Sequence, residues 1–174
     1  TLNLTPGIWR SKVTLVADDA YKSCSYNSNE NNHTYFSDKI FDSLSKFIPI
    51  QTIYGVSYNL QQTNSGCELP DLTNDLIRNI NTGTAIINYI GHGSYDTWSG
   101  EKILTKNRDL PLINPENNKL AIWIAGTCSF GEYSGNNSFM EELLINKNGA
   151  IAIIAPTDII GESDNSTYIL KLFG

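Results

Sequence analysis

Cys128 and His92 are the two residues whose types and surroundings best fit nucleophilic catalysis. Each follows an apolar run closely, His92 within GHGS (91–94) and Cys128 within GTCSF (126–130). A cysteine thiolate can attack a carbonyl carbon, and a nearby imidazole can protonate the leaving amine. Together the two residues predict acyl transfer, with Cys128 as the nucleophile and His92 as the general acid and base.

Acyl transfer also needs hydrogen-bond donors for the oxyanion that forms on the attacked carbonyl. The backbone N–H groups of Gly93 and Cys128 are the candidate donors. Because glycine has no side chain, the N–H of Gly93 can approach a substrate closely. The sequence therefore predicts an oxyanion site made by these two backbone groups.

Strand-like and helix-like segments alternate along the chain and must position the two residues. Apolar runs predict strands at 12–17, 50–57, 84–90, 119–125 and 149–156, and apolar spacing predicts helices at 35–48, 71–80, 139–147 and 166–173. Nearly continuous apolar strands are typical of a parallel sheet that is buried on both faces. The expected fold is therefore an α/β three-layer sandwich with a mainly parallel sheet.

The third and fourth predicted strands carry the candidate catalytic residues at their ends. His92 lies two residues after the third strand, and Cys128 lies three residues after the fourth. Neighbouring strands are about 4.8 Å apart. Sites in parallel sheets form beyond the carboxyl ends of the strands. If the two strands are neighbours, both side chains emerge at one edge of the sheet.

Less specific interpretations compete with catalysis. A cysteine after a buried strand is often a small core residue, and the glycines of GHGS (91–94) could form a simple turn around an exposed His92. A phosphate-binding loop is disfavoured, because the segment lacks the P-loop lysine and the GxGxxG spacing. Two histidines and three cysteines without paired spacing predict no metal site, and no cofactor is expected.

Composition and charge restrict the class of function. The 174 residues fit one domain, and a hydrophobic content of 40% is enough for a core. The net charge of −6 argues against a nucleic-acid partner, but a protein or peptide substrate remains compatible with it. The apolar runs are far shorter than the ~20 residues of a membrane-spanning helix.

Two segments resemble a known family. AIINYIGHGSYDTW (85–98) and AIWIAGTCSFGEY (121–133) resemble the histidine and cysteine blocks of gingipain-family cysteine peptidases, in the caspase-like clan. VTLVADD (13–19), HTYFSDKI (33–40) and GAIAIIAPTD (149–158) are similar to other parts of the same domain. The resemblance implies a cysteine peptidase with a caspase-like or flavodoxin-like strand order.

The resemblance extends to individual residues. It implies Cys128 as nucleophile, His92 as acid and base, and oxyanion donors at Gly93 and Cys128. It assigns no acidic third member. GTC stands where many clan members have Ala-Cys, and Thr157-Asp158 stands where a Thr-Arg pair is expected. The chain begins without Met and ends within a predicted helix, so 1–174 is expected to be a single, truncated catalytic domain.

Within the family, the amino-acid sequence of these segments is most similar to that of the signal peptidases of the type IX secretion system. Those proteins work as sortases, which remove C-terminal sorting domains from exported proteins. The resemblance implies exported protein substrates, outer-membrane secretion components as partners, and a location at the cell envelope, at the outer-membrane surface or outside the cell. A secreted gingipain-like endopeptidase and a catalytically inactive binding module are the alternatives.

Several other residues have two interpretations each. Asp18 and Asp19 end the first strand and could orient His92 or meet a basic substrate group, or could instead cap a loop or bind a cation. Trp98 and Tyr95 could line a substrate pocket, although Trp98 could equally pack against its own loop.

Two further positions concern the surface. Glu132 could select a basic substrate side chain or be a solvated charge. NSNENN (27–32) is expected to be a surface loop, and His33 is expected to be a surface residue before a helix.

Cys24 and Cys67 follow the first and second predicted strands. If these strands are neighbours, both cysteines lie in loops at one edge of the sheet, within the ~7 Å between Cα atoms that a disulfide requires. A bridge would leave Cys128 as the free thiol and would fit an envelope location. Two unrelated thiols in mobile loops are the alternative.

Overall fold

A five-stranded parallel sheet forms the centre of the described part of the chain, which comprises residues 7–22, 24–64, 66–134 and 137–174 of a computed structural model. Its strands are β1 (Val13–Ala17), β2 (Ile50–Tyr54), β3 (Ile86–Ile90), β4 (Ala121–Gly126) and β5 (Ala150–Ile154). They lie in the order β5-β4-β3-β1-β2, and each neighbouring pair is parallel. This is the flavodoxin-like order, so the predicted fold class is confirmed.

Helices cover both faces of the sheet. The helices α1 (Asn32–Leu44) and α4 (Glu162–Leu172) pack on one face, and α2 (Pro70–Thr82) and α3 (Phe139–Ile145) pack on the other. Alternate residues of each strand point to opposite faces, so Leu15 of β1 packs towards α1 and Val16 packs towards α2. The sheet is therefore the middle layer between two apolar cores.

Local sequence signals explain where these helices begin and end. Pro70 occupies the first turn of α2, where a missing N–H costs nothing, and Gly83 follows the helix with a φ of 106° that favours glycine. Ser138 caps α3, and Glu141 returns a hydrogen bond to the Ser138 backbone. These caps fix the ends of the two helices on the α2 face.

Shorter elements connect the main ones. Three two-stranded ribbons occur among the described residues, at Tyr21–Lys22 with Ser25–Tyr26, Gln61–Thr63 with Gly66–Glu68, and Thr97–Trp98 with Leu104–Thr105. A single α-helical turn spans Lys106–Asp109, and 3₁₀ turns span Ile8–Arg10, Ser28–Asn31, Gly55–Ser57, Leu110–Leu112 and Glu116–Asn118. No helix in the described ranges is long and apolar enough to cross a membrane.

The outer strands depart from the expectation of burial on both faces. β1 is buried along its whole length, as predicted, but Ile151 of the edge strand β5 is 64% exposed. An apolar run favours a strand whether or not a second layer covers it. Strand position in the sheet, which the run does not encode, decides the burial of each face.

A disulfide joins Cys24 to Cys67, with Cα atoms 5.5 Å apart. Cys24 lies between β1 and α1, and Cys67 lies between β2 and α2, so the adjacency of β1 and β2 brings both to one edge. Of the two alternatives for these cysteines, the structure contains the bridged one. Cys128 is the free thiol.

Replacing Cys24 and Cys67 with serine is expected to lower the free energy of unfolding by about 4 kcal/mol, the loop-closure term for a separation of 43 residues. Urea denaturation without reductant measures this change. Cys128→Ser, which removes a thiol but no bridge, is the matched control and should shift stability by under about 1 kcal/mol. Alkylation of both Cys24 and Cys67 in the native protein without reductant would contradict the bridge.

Candidate active site

His92 and Cys128 follow adjacent strands of the sheet. In the pairing of β3 with β4, Ile90 lies beside Gly126, and the Gly91 N–H continues the pairing by donating to the Gly126 carbonyl at 3.1 Å. Each candidate residue is two positions beyond this last pair. Both line one cleft of about 120 Å³ at the carboxyl edge of the sheet.

The His92 imidazole is bonded to a buried carboxylate, Glu30. Nε2 of His92 lies 2.7 Å from Oε2 of Glu30, and Nε2 of His33 lies 3.3 Å from the same oxygen. Because an ionised carboxylate only accepts hydrogen bonds, Nε2 of His92 must carry a proton. In the neutral ring, Nδ1 is then the free basic nitrogen. This tautomer leaves Nδ1 available for a thiol or a leaving group.

The charge on Glu30 is stabilised by its partners. The Glu30 residue is 8% exposed, and Asn27 donates to its other oxygen at 3.2 Å. Burial alone would raise the pKa of Glu30, but the hydrogen bonds and charges of His92 and His33 outweigh it and hold that pKa below its ordinary value. Glu30 therefore remains an anion at neutral pH and can stabilise a positively charged His92 ring.

Nothing in the sequence singled out Glu30, and the expectation that His33 is a surface residue before a helix was wrong. NSNENN (27–32) lies mainly at the surface, as expected, but forms a capped 3₁₀ turn that buries Glu30, and His33 lies within α1 and is only 4% exposed. The T-shaped contact between the His33 and His92 rings, 5.1 Å between centroids, fills the space around the carboxylate. The signal available for finding Glu30 was the topology, because its segment follows β1 and β1 lies beside β3.

Asp18 holds the His92 backbone rather than its ring. Oδ2 of Asp18 accepts from the His92 N–H at 3.0 Å. The Tyr89 hydroxyl lies 2.7 Å from the His92 carbonyl oxygen and 3.3 Å from Oδ2 of Asp18. Asp19 accepts from the Tyr21 N–H at 2.9 Å and lies beside Asp18 instead of the imidazole. The first strand therefore positions His92 through the main chain.

The backbone N–H groups of Gly93 and Cys128 have no hydrogen-bond partner among the described residues. Gly93 and Trp98 form a non-hydrogen-bonded antiparallel pair. The backbone hydrogen bonds on either side of it are donated by Ser94 to Thr97 and by Ser99 to His92. The Gly93 N–H therefore points away from the turn. A Cβ at Gly93 would lie 2.4 Å from Oγ1 of Thr127. Glycine is therefore required where the two loops meet.

The loop after β5 fixes the turn that carries Cys128. Ser129 has a φ of 52°, and its N–H donates to the Asp158 carbonyl at 3.1 Å. The Cys128 thiol is 3.7 Å from the Ile160 carbonyl oxygen, and no thiol–imidazole hydrogen bond exists among the described residues. Asp158, at the position where the resemblance led us to expect arginine, thus contributes a backbone carbonyl to this turn.

The aromatic and acidic pocket candidates do not line the cleft. Trp98 is fully buried and stacks on Tyr89 with centroids 4.3 Å apart, so the pocket interpretation of Trp98 is wrong. Tyr95 is 36% exposed, and its carbonyl accepts from the Phe139 N–H at 2.8 Å. Glu132 lies beyond the turn that carries Cys128, outside the cleft. The 97–105 ribbon packs onto the core, and this packing keeps the Trp98 side chain out of the cleft.

The loop after β5 and α4 supply the opposite wall instead. The residues lining this wall are Ile160, Glu162, Asn165 and Ser166. A neighbouring, mainly apolar cavity of about 320 Å³ shares Ile160 and Asn165 with the cleft. The cleft and this cavity therefore adjoin along the wall formed by Ile160 and Asn165.

The geometry agrees with comparisons to known proteins. The profile of peptidase family C25 matches residues 2–173. The Arg-specific cysteine proteinase gingipain R (RgpB) is structurally similar, with a TM-score of 0.64, 17% identity, and coverage of 95% of this chain and 38% of that one. The complex of Porphyromonas gingivalis RgpB pro- and mature domains gives a TM-score of 0.64, 18% identity, and coverage of 91% and 35%.

These structural likenesses, at identities below 20%, establish the fold. The chain spans little more than a third of the length of either solved structure. A search of curated proteins gave no match.

Proposed function

This chain belongs to peptidase family C25, the gingipain family of cysteine peptidases, and we propose that it cleaves exported proteins with Cys128 as nucleophile and His92 as general acid and base. Glu30 is the acidic residue that orients the imidazole. The 2.7 Å bond from the buried Glu30 to His92, a residue that lines the same cleft as Cys128, is the observation that carries this proposal.

The proposed reaction begins at the Cys128 thiol. His92 accepts the thiol proton, and the thiolate attacks the substrate carbonyl to form a tetrahedral oxyanion. The N–H groups of Gly93 and Cys128 stabilise this oxyanion. His92 then protonates the leaving amine, which leaves an acyl-enzyme on Cys128. Attack by water or by an acceptor amine releases the acyl group and regenerates the thiol.

Glu30 has an electrostatic role in the proposed reaction. When His92 takes up a proton, its ring becomes a cation beside the Glu30 carboxylate, which stabilises the ion pair and keeps Nε2 protonated. Nδ1 consequently exchanges protons with the thiol and the amine. The mechanism requires the Cys128 thiol and Nδ1 of His92 to meet when substrate binds, as happens in enzymes whose unliganded catalytic hydrogen bonds are long or unformed.

The finer proposal is a C-terminal signal peptidase and sortase of the type IX secretion system, of the PorU kind. The amino-acid sequence of the histidine and cysteine blocks supports this proposal, and the Cys24–Cys67 disulfide fits the oxidising cell envelope. Substrates would be exported proteins, outer-membrane secretion components would be partners, and the location would be the cell envelope, the outer-membrane surface or the medium. When an acceptor amine is added to the reaction, a sortase should transfer the acyl group to it and give the amide product instead of the free acid. If only the free acid forms, the result supports a secreted endopeptidase.

A catalytically inactive binding module is the alternative from another class, and covalent labelling separates it from an enzyme. A thiol-directed peptide electrophile is expected to modify Cys128 stoichiometrically, because that thiol faces the cleft. His92→Ala should slow labelling by about 10²-fold, since the ring no longer accepts the thiol proton. Mass mapping locates the adduct, and the bridged Cys24 and Cys67 serve as internal controls.

Labelling that is equally fast in His92→Ala and in the wild type would contradict an activated nucleophile. It would favour the binding module, in which Cys128 is an ordinary thiol.

A further inference from the structure

The imidazole rings of His33 and His92 converge on one oxygen of Glu30. Oε2 of that carboxylate is 2.7 Å from Nε2 of His92 and 3.3 Å from Nε2 of His33. The ligand atoms that these three residues offer all lie within 4.8 Å of one another. Glu30 and His33 are neighbours in the chain, whereas His92 comes from the loop after β3. The proposed mechanism uses Glu30 and His92 but gives no role to His33.

The ligand types and their spacing fit a zinc ion. Zinc binds imidazole nitrogen and carboxylate oxygen at about 2.0–2.2 Å, and two histidines with one carboxylate are a known zinc ligand set. At those bond lengths, two ligand atoms of a tetrahedral ion are about 3.3–3.5 Å apart. The distances from Oε2 of Glu30 to the two rings are 2.7 and 3.3 Å. Both therefore differ from a zinc geometry by less than about 1 Å.

Charge and exposure also favour a cation at this cluster. Asp18, Asp19 and Glu101 are buried carboxylates behind the same loop. Burial, and then repulsion by neighbouring carboxylates that include Glu30, raises the pKa of Asp19 to about 7. The surroundings of Glu30 are therefore negative, which attracts a positive ion. The His92 side chain is 51% exposed, so the cluster opens to solvent on that side.

We propose that Glu30, His33 and His92 bind a zinc ion, and that this ion reversibly inhibits the peptidase. The binding site stands by itself, whereas the inhibition rests on the proposed function. Zinc takes the lone pair of Nε2 of His92, so the single proton of the neutral ring moves from that nitrogen to Nδ1. Nδ1 is the base of the proposed mechanism. A ring that is bound to zinc therefore cannot accept the proton of the Cys128 thiol.

This site differs from zinc binding by the nucleophile itself. A thiolate is also a zinc ligand, so an ion held between Cys128 and His92 is the competing arrangement. The Cys128 thiol lies 3.7 Å from the Ile160 carbonyl oxygen and is not a member of the cluster around Glu30. The proposed site therefore needs His33 and does not need Cys128, and the competing arrangement has the opposite requirements.

Zinc binding can be measured without reference to activity, in the full-length protein that carries Cys128→Ala. Competition with a chromophoric chelator should give a Kd for Zn²⁺ close to that of the wild type. Adding His33→Gln should raise this Kd more than about tenfold, because even the loss of a residue that only supports a ligand costs 10–100-fold. Glutamine can still donate to Glu30, which preserves the neighbouring bond. His92→Ala should raise the Kd to a similar extent.

Cobalt provides a second measurement of the same site. Co²⁺ in place of Zn²⁺ should give the visible d–d bands of a nitrogen and oxygen site in the wild type, without a thiolate-to-cobalt charge-transfer band. Glu101→Gln is the control for an ion among the acidic residues behind the loop, and it should leave the Kd for Zn²⁺ near the parent value. Thermal melting in the presence of chelator verifies that each variant is folded.

Labelling of Cys128 by the peptide electrophile tests the inhibition. Saturating Zn²⁺ should slow labelling of the wild type by about 10²-fold, as His92→Ala does, and a zinc-selective chelator should restore the rate. The site is overturned if Cys128→Ala abolishes zinc binding, if folded His33→Gln keeps the parent Kd, or if Glu101→Gln weakens binding as much as His33→Gln. Labelling that zinc leaves unchanged overturns the inhibition. Zinc bound by these ligands in a protein that cleaves no peptide would support the site and contradict the proposed function.

Discussion

Replacing Cys128 with alanine is expected to lower kcat/KM for peptide cleavage in the full-length protein by about 10⁴–10⁶-fold. Cys128 is the free thiol, and it lines the cleft together with His92. Without it, neither the thiolate nor the acyl-enzyme can form. The partly exposed side chain packs little, so the free energy of unfolding should change by under about 1 kcal/mol. Steady-state kinetics and urea denaturation measure the two quantities.

Two variants sharpen the interpretation of that loss. Cys128→Ser keeps the shape of the side chain, but a hydroxyl is a much weaker acid and nucleophile than a thiol, so this variant should also lose most activity. Ser134→Ala, an exposed change in the same loop, should retain the wild-type kcat/KM. Wild-type turnover by folded Cys128→Ala would show that another residue is the nucleophile.

Glu30→Gln is expected to lower kcat/KM by about 10²–10⁴-fold while the fold survives. The amide nitrogen can donate to Nε2 of His92, which favours the tautomer with the proton on Nδ1 and so removes the nitrogen that acts as the base in the proposed mechanism. The loss should be mainly in kcat, because Glu30 lies behind His92 and outside the cleft lining. Glu30→Asp retains a carboxylate and should recover part of the activity.

The pH dependence of stability distinguishes an ionised Glu30 from a merely well-packed one. Its folded pKa lies below the ordinary value of 4.5, so its ionised contacts contribute stability that is present above pH 4.5. That contribution is lost as the pH falls through the lower, folded pKa. The difference in free energy of unfolding between wild type and Glu30→Gln should therefore shrink as the pH falls below 4.5. A difference that stays constant into the acid range would contradict an ionic role.

Local patterns along the chain were sufficient to predict the framework of this protein. Apolar runs predicted all five sheet strands, and the flavodoxin-like order placed the third beside the fourth. These features are local, or they follow from general rules of parallel sheets, which explains why spacing along the chain was enough. The positions of His92 and Cys128 at one edge of the sheet could consequently be predicted from the sequence. The sequence motifs around His92 and Cys128 also indicated the family that the profile match establishes.

The polar groups that support that edge depend on long-range packing. Glu30 lies 62 residues before His92, and Glu101 lies more than 80 residues after Asp18. Whether a carboxylate is solvated or buried depends on what distant segments place around it, and no local pattern encodes those neighbours. For the same reason Trp98 could not be assigned to the pocket or to the core from its own loop. Local order along the chain places His92 and Cys128 at one edge of the sheet, whereas long-range packing brings the buried Glu30 carboxylate to the His92 ring.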